Sequence, residues 1–187
     1  MTRAATARQS LARFEDWAQA RGLSYRHRPD TGFGAVFSQD GAYRYLLWRI
    51  AAPRAGLTGM GMLNPSTADE HGNDATIARC QRIAGGNLLV WNLFALRATD
   101  PAALRLVSDP VGADNDAAID LALSLCPRTV LAWGNHGSLG GRSLAVLACC
   151  QAAGSRLMAL GTTRLGQPRH PLYLPGDTRP KVLRTRR

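Results

Sequence analysis

The spacing of apolar and polar residues changes along the first part of the chain. Residues 7–21 place apolar side chains at helical intervals between polar ones, which predicts an amphipathic helix. Residues 34–38 and 43–50 are apolar and aromatic runs, and Asp40-Gly41 between them favours the tight turn of a β-hairpin. The first 50 residues therefore predict a helix followed by a hairpin.

Four short apolar segments follow, each ending in small or polar residues, and stretches of helical character separate them. The apolar segments are residues 57–63, 87–91, 129–133 and 156–160. The helical stretches are residues 67–84, 115–125 and 142–153. Strands and helices in alternation predict a mostly parallel sheet that is covered on both faces. We therefore expect an α/β three-layer sandwich with a central, mostly parallel four-stranded sheet, extended by the N-terminal helix and hairpin of residues 1–50.

Length and composition favour one globular domain over residues 1–187. The chain is long enough to bury one sizeable core, and it contains no Ser/Gly-rich linker. Hydrophobic residues make up 45% of it and charged residues 19%, unlike the balance of disordered chains.

We expect reduced cysteines, because none has Cys-x-x-Cys spacing. No apolar run approaches the roughly 20 residues that span a bilayer, and no signal peptide is recognisable, so we expect a cytoplasmic protein without a membrane partner.

The formal net charge of +10 is concentrated towards the end of the chain. Residues 161–187 contain seven basic residues and one acidic residue, a net of +6. Such a patch attracts polyanions, because neutralised phosphates release condensed counterions. A solvated basic tail over residues 177–187 is the alternative interpretation. The charge pattern therefore leaves nucleic-acid binding open.

In parallel α/β sheets, ligands bind beyond the carboxyl ends of the strands, where the connecting loops meet. The residues that follow the four apolar segments are therefore the candidate site. These clusters, rich in hydrogen-bonding groups, are residues 64–67, 92–94, 134–137 and 161–174.

Two asparagines follow the first two apolar segments. Asn64-Pro65 indicates a turn, since proline restricts the residue before it, and Thr67 with Glu70 is a plausible capping box for the next helix. Alternatively, the Asn64 side chain holds a water or a base edge. Asn92 either caps its strand or offers its amide to a ligand, and an amide suits a pyrimidine edge because it can donate and accept together.

Two histidines follow the last two segments. His170 lies between two prolines in a stiff loop, where it is either structural or functional. His136 follows Gly134 at the start of a predicted helix, a position that suggests close backbone approach to an anion. Each of these histidines is therefore a candidate for contact with a ligand.

Acidic side chains near these loops supply few candidates. Asp114 and Asp116 stand where a helix should begin, so we interpret them as helix caps. Asp74 is the better candidate for a carboxylate that faces the crevice. No pair of acids has the spacing of a metal motif, so we predict neither a metal site nor a cofactor.

Four segments resemble an uncharacterised bacterial and phage family defined by a domain of unknown function. They are residues 62–69, residues 92–101, residues 110–116, and residues 160–163 together with 168–174. The resemblance spans about residues 40–176, and its four motifs keep the same order.

The order of these motifs also resembles, more distantly, that of the uracil-DNA glycosylase superfamily. There the first strand ends in an Asp-Pro or Asn-Pro loop that holds the attacking water, and Asn64-Pro65 matches it. A second strand ends in an asparagine that recognises the base, matched by Asn92. A third ends in Trp-Gly, matched at Gly134, and a His-Pro loop matched by His170 precedes a leucine wedge, here Leu172 or Leu174.

The resemblance implies roles for these residues in cleavage of an N-glycosidic bond. His170 would stabilise negative charge on the leaving base, and an apolar wedge would keep a flipped base out of the stack. Asn64 cannot act as a general base, so it would only orient water. No aromatic residue follows Asn64 closely to stack on a base, and Ile77 is the first large apolar residue there.

The candidate residues fall into three groups. The expected catalytic residues are Asn64 and His170. The expected substrate-binding residues are Asn92, Ser66, Asp74, Phe94, Gly134 and His136. The expected nucleic-acid-binding residues are Arg164, Arg169, Leu172 and Tyr173.

Three functional hypotheses fit these residues. The first is an enzyme with glycosylase-like chemistry on a nucleobase or nucleotide in DNA. The second is a non-catalytic nucleic-acid-binding module that keeps the crevice, and the third is an enzyme that acts on free nucleotides. The partner in each case is a nucleic acid or a nucleotide.

Overall fold

A single mixed sheet forms the centre of the protein, whose structure is a computed structural model that describes residues 5–183. Its strands are β1 (Ser24–Arg28), β2 (Phe33–Phe37), β3 (Arg44–Arg49), β4 (Thr58–Met62), β5 (Leu88–Asn92), β6 (Arg128–Leu131), β7 (Arg156–Ala159) and β8 (Lys181–Val182). Their order across the sheet is β1-β2-β3-β5-β4-β6-β7-β8. The four strands predicted to form the parallel sheet are therefore its contiguous centre, β5-β4-β6-β7.

The central strands run parallel, and the flanking strands run antiparallel to their neighbours. Gly61 of β4 is in register with Trp91 on one side and with Leu131 on the other. The predicted hairpin is confirmed as β2 and β3, and β3 extends the same sheet by pairing with β5 through Leu47 and Val90. The expectation of four strands is wrong for the whole sheet, which has eight among the described residues.

The helices are α1 (Ala7–Ala20), α2 (Ala75–Ala84), α3 (Asn115–Leu125) and α4 (Arg142–Ala152). Helix α1 begins at a capping box in which Thr6 accepts from the Gln9 backbone, and it buries Phe14 and Ala18. Helices α1, α3 and α4 pack on one face of the sheet, whereas α2 packs on the other through Ile77. The layers are helix, sheet and helix, and no helix within residues 5–183 is long and apolar enough to cross a membrane.

Helix α2 begins later than the sequence predicts. Its N-cap is Asp74, whose side chain accepts from the Ile77 backbone at 2.8 Å. The predicted capping box at Thr67 is wrong, because Glu70 forms an ion pair with Arg26 and contacts the His71 ring instead. Residues 67–74 are consequently a loop at the end of β4.

A buried arginine of β3 holds this loop in place. The Arg49 guanidinium donates to the carbonyl oxygens of Asp69 and Gly72, at 2.7 and 2.8 Å, and to Asn73 Oδ1 at 2.7 Å. Three bonds from one rigid cation outweigh the modest helical preference of these residues. The delayed start of α2 is therefore a tertiary effect.

The two acids at the start of α3 differ from simple caps. Asp114 occupies the N-cap position but forms no side-chain capping bond, and its carboxylate pairs with Arg21 at 2.8 Å. Asp116 lies in the first turn, where a negative charge is favourable, and pairs with Arg142. Both acids thus link α3 to other elements, which corrects the interpretation of Asp114 as a side-chain cap.

Candidate functional site

A cavity of about 630 Å³ opens at the edge where the parallel strands end. It lies on the face of the sheet covered by α2, whose Ile77 forms part of its wall together with Met62 and Val90. Ten of the residues predicted for the site line this cavity. They are Asn64, Ser66, Asp74, Asn92, Gly134, His136, Arg169, His170, Leu172 and Tyr173.

Chain topology explains the position of the cavity. The chain leaves β4 towards α2 on one face of the sheet, and it leaves the adjacent strand β6 towards α4 on the other face. The two connections diverge and leave a crevice beyond the strand ends, the position where α/β sheets bind ligands.

Asn92, the last residue of β5, lines the cavity with both ends of its amide unpartnered. Its side chain is 1% exposed, and neither Oδ1 nor Nδ2 has a hydrogen-bond partner among the described residues. Buried amides are nearly always hydrogen-bonded, because desolvation without a partner costs on the order of 1–3 kcal/mol. The Asn92 amide is therefore a donor and acceptor pair available to a ligand.

Asn64 is held in a fixed orientation at the end of β4. Its Nδ2 donates to the carbonyl oxygen of Ala98 at 2.7 Å and to that of Pro65 at 3.0 Å. Both amide hydrogens are thereby used, and Oδ1 accepts no hydrogen bond from the residues that the structure describes. With its orientation fixed in this way, the Asn64 amide has one oxygen, Oδ1, that can still accept a hydrogen bond.

His170 is the N-cap of a short 3₁₀ turn, Pro171–Tyr173. Its Nδ1 accepts from the Leu172 backbone at 3.4 Å, so the neutral ring carries its proton on Nε2. Burial lowers the pKa of His170 below its ordinary value, while the Asp74 carboxylate acts in the opposite direction. At neutral pH the ring is uncharged and has one N–H donor.

Hydrogen bonds join the loops that follow β6 and β7. The Gly134 backbone donates to the carbonyl oxygen of Pro168 at 2.7 Å, and Trp133 Nε1 donates to Gln167 Oε1 at 2.8 Å. Gly134 has φ 70° and ψ −170°, a conformation that only glycine adopts readily. The Trp-Gly sequence therefore positions the loop that carries His170.

A second tether holds the far end of that loop. Arg79 of α2 is buried, and its guanidinium donates to the carbonyl oxygen of Gly176 at 2.6 Å and to that of Pro175. Helix α2 thereby fixes the segment after His170 against the wall of the cavity.

Two predicted site residues lie away from the cavity. Phe94 is 2% exposed and packs in the core on the face covered by α1, α3 and α4. Arg164 is exposed and does not line the cavity. An apolar residue that follows a strand can thus point either into the core or into the cavity. Its position in the sequence alone does not tell which of the two it does.

Arg44 is a charged cavity residue that was not among the predicted site residues. It is the first residue of β3, it is 2% exposed, and its Nη1 donates to the carbonyl oxygen of Ala68 at 2.6 Å. The available signal was a charged residue inside the apolar run of residues 43–50, since arginine is seldom fully buried without a partner.

The fold and the cavity define an α/β protein with a ligand-sized cavity, lined by both apolar and polar side chains, at the carboxyl ends of parallel strands. The chain belongs to the family described as protein of unknown function DUF1643, whose model matches residues 44–172. This match confirms the resemblance to a family defined by a domain of unknown function. No curated protein and no solved structure matches the chain. Within residues 5–183 no group of three or more His, Cys, Asp or Glu residues is arranged to hold a metal ion.

Proposed function

We propose that this protein is an enzyme that acts on a nucleobase, most directly a base in DNA, by hydrolysing its N-glycosidic bond. The observation that carries the proposal is the buried, unpartnered amide of Asn92 in the same cavity as Asn64 and His170. The distant resemblance to the uracil-DNA glycosylase superfamily supports the same chemistry.

Asn92 would recognise the base. A pyrimidine edge presents a ring N–H beside a carbonyl oxygen, and the Asn92 amide supplies an acceptor and a donor in matching order. Because the amide is already desolvated, binding would satisfy both atoms without removing them from water. Bases that lack this pair of groups would leave the amide unpaired and bind more weakly.

Asn64 would orient the attacking water. Its Nδ2 is held by the carbonyl oxygens of Pro65 and Ala98, so Oδ1 can accept from a water beside the sugar. The amide takes up no proton at neutral pH. As the bond between the sugar C1 and the base nitrogen breaks, the positive charge on the sugar would draw in neutral water to form the new C1–O bond, and the water proton would finally pass to the departing base anion.

His170 would stabilise the leaving base. Its Nε2–H is the donor of a neutral imidazole, and a donor aimed at a base oxygen becomes more favourable as that oxygen gains negative charge. The neutral state of the ring is maintained by burial and by the bond from the Leu172 backbone.

The rim would contact the DNA. Leu172 and Tyr173 are 45% and 80% exposed beside His170, which suits side chains that displace a base from the stack. Arg169, also exposed at the rim, would contact backbone phosphates.

A non-catalytic nucleic-acid-binding module is the second candidate. One observation favours it: the bonds of Asn64 to Pro65 and Ala98 give that side chain a structural role without any reaction. Such a module would bind DNA in a salt-dependent manner, and His170→Ala would not abolish binding.

The test is release of free base, measured by mass spectrometry, from DNA that carries a panel of deaminated and hypermodified bases. We expect release by the wild type and its loss in Asn92→Ala and His170→Ala. Asn135→Ala is the matched control, because Asn135 is an exposed amide of the same cavity. Binding without release from any substrate would reject the enzyme and favour the module.

A further inference from the structure

Arg44 is a buried cation of the cavity whose hydrogen-bonding capacity is only partly used. Its Nη1 donates to the carbonyl oxygen of Ala68, whereas its Nε has no partner among the described residues. Arg49, at the other end of the same strand, is similarly buried but donates to three backbone carbonyls and one side-chain amide. Hydrogen bonds within the protein therefore account for the buried guanidinium of Arg49, whereas they leave Nε of Arg44 without a partner.

The charge of Arg44 is also incompletely balanced. Within residues 5–183 it forms no salt bridge with a carboxylate. Burial lowers its pKa to about 9, Asp74 and Asp69 favour its charge, and Arg49 and Arg97 oppose it. The side chain thus stays cationic at neutral pH, and a buried cation without a paired anion is costly.

We propose that the cavity recognises an anionic oxygen group of the substrate, a carboxylate or a phosphate, at Arg44. The inference rests on the proposed function, since it places this group beside the base edge that Asn92 contacts. Arg44 and Asn92 belong to neighbouring strands and line one cavity. The unpartnered Nε–H lies on the edge of the guanidinium that binds carboxylate or phosphate oxygens in a bidentate manner.

The size of the cavity agrees with a substrate larger than an unmodified base. Its volume of about 630 Å³ falls within the roughly 300–1,000 Å³ of pockets for drug-sized ligands. Two sources of the anion fit this space: a carboxylate substituent on the base itself, or the 5′-phosphate of a free nucleotide.

The first experiment uses wild-type protein and two pairs of ligands that differ in charge. Calorimetry would compare 5-carboxyuracil with its 5-carboxamide, and uridine 5′-monophosphate with uridine. We expect the anion of at least one pair to bind roughly tenfold more tightly, as charge-assisted hydrogen bonds allow. Preference in the first pair identifies a modified base, preference in the second identifies a free nucleotide, and equal binding within both pairs overturns the inference.

The second experiment uses variants. Arg44→Gln should remove the preference for the anion while retaining the affinity for the neutral ligand. Arg54→Gln is the matched control, because Arg54 is exposed, does not line the cavity and loses the same charge. If Arg44→Gln fails to fold by circular dichroism, Arg44→Lys keeps the charge but not the bidentate edge and should weaken the preference. An undiminished preference in folded Arg44 variants would reject the assignment.

The same measurements distinguish failure of the proposed function from failure of the Arg44 assignment. Preference for the anion without base release from any DNA would reject glycosidic chemistry and leave the Arg44 assignment intact. Release of neutral deaminated bases, with no preference for either anion, would reject the Arg44 assignment alone.

Discussion

The backbone N–H of Leu172 donates to Nδ1 of His170 across 3.4 Å. This bond exists only while Nδ1 is unprotonated, so it opposes formation of the imidazolium. Burial acts in the same direction by lowering the pKa of His170. The short turn after His170 thus selects both the charge state and the tautomer of the ring.

The first prediction concerns pH. Since the pKa of His170 in the folded protein is below its ordinary value of 6.5, base release should persist to below that value. It should fall as Nδ1 becomes protonated, because the bond from the Leu172 backbone that orients the ring is then lost. Between 6.5 and the lower folded pKa the unfolded chain binds the proton more readily, so stability also falls as pH falls. NMR titration of the His170 ring would measure the pKa directly, and a value of 6.5 or above would contradict the assignment.

The second prediction is that Asn92→Leu stabilises the protein while abolishing ligand binding. Leucine has a similar volume, and it removes two buried polar atoms that have no partner among the described residues. The free energy of unfolding should rise by about 1 kcal/mol, because an unsatisfied buried polar group costs on the order of 1–3 kcal/mol. Urea denaturation would measure the change.

Asn115→Leu is the matched control for that experiment. Asn115 is equally buried and its Oδ1 also lacks a partner among the described residues, but its Nδ2 donates to the carbonyl oxygens of Asn92 and Leu93 at 3.1 and 3.0 Å. Its replacement should lower the free energy of unfolding by about 1–3 kcal/mol, since two buried bonds are lost. Equal effects of the two substitutions would show that the Asn92 amide is not held ready for a ligand.

The third prediction concerns the tether between α2 and the His170 loop. Arg79→Met removes the donors to Pro175 and Gly176 but retains an apolar stem. Hydrogen exchange in residues 170–176 should accelerate, with the free energy of local opening lowered by about 1–3 kcal/mol, and base release should slow. Arg82→Met, on the exposed side of the same helix, should change neither quantity. Unchanged exchange in Arg79→Met would exclude the tether.

Local sequence pattern predicted the parallel strands because each is an apolar run between turn residues. It did not predict β1, whose sequence Ser-Tyr-Arg-His-Arg is largely polar and half-buried at the edge of the sheet. That strand depends on its pairing with β2, and pairing between separate segments leaves no local periodicity. The two-residue strand β8 is exposed and too short to form a pattern.

The candidate site was predictable where residues follow strand ends, since topology brings those ends to one edge of the sheet. Asn64, Asn92 and His170 line one cavity for this reason. Arg44 was harder to assign, because its burial and its place in the cavity depend on packing against residues far along the chain, such as Ala68. The late start of α2 has a similar cause, since Arg49 of β3 holds residues 69–73 outside the helix.

The last prediction concerns salt. If Arg169 at the rim and the exposed Arg164 on the same loop neutralise DNA phosphates, Arg164→Gln combined with Arg169→Gln should reduce the slope of log affinity against log salt by about 2. A double variant of Arg8 and Arg54, both exposed and outside the cavity, removes equal charge and should leave the slope nearly unchanged.

Substitution is preferable to deletion of the basic segment 177–187, because Lys181–Val182 pair with β7 and their loss would expose a sheet edge. Arg184, Arg186 and Arg187 of that segment lie outside the described residues. Fluorescence anisotropy at several salt concentrations would give the slopes. Equal slopes for the two double variants would show that DNA, if it binds, contacts another face of the protein.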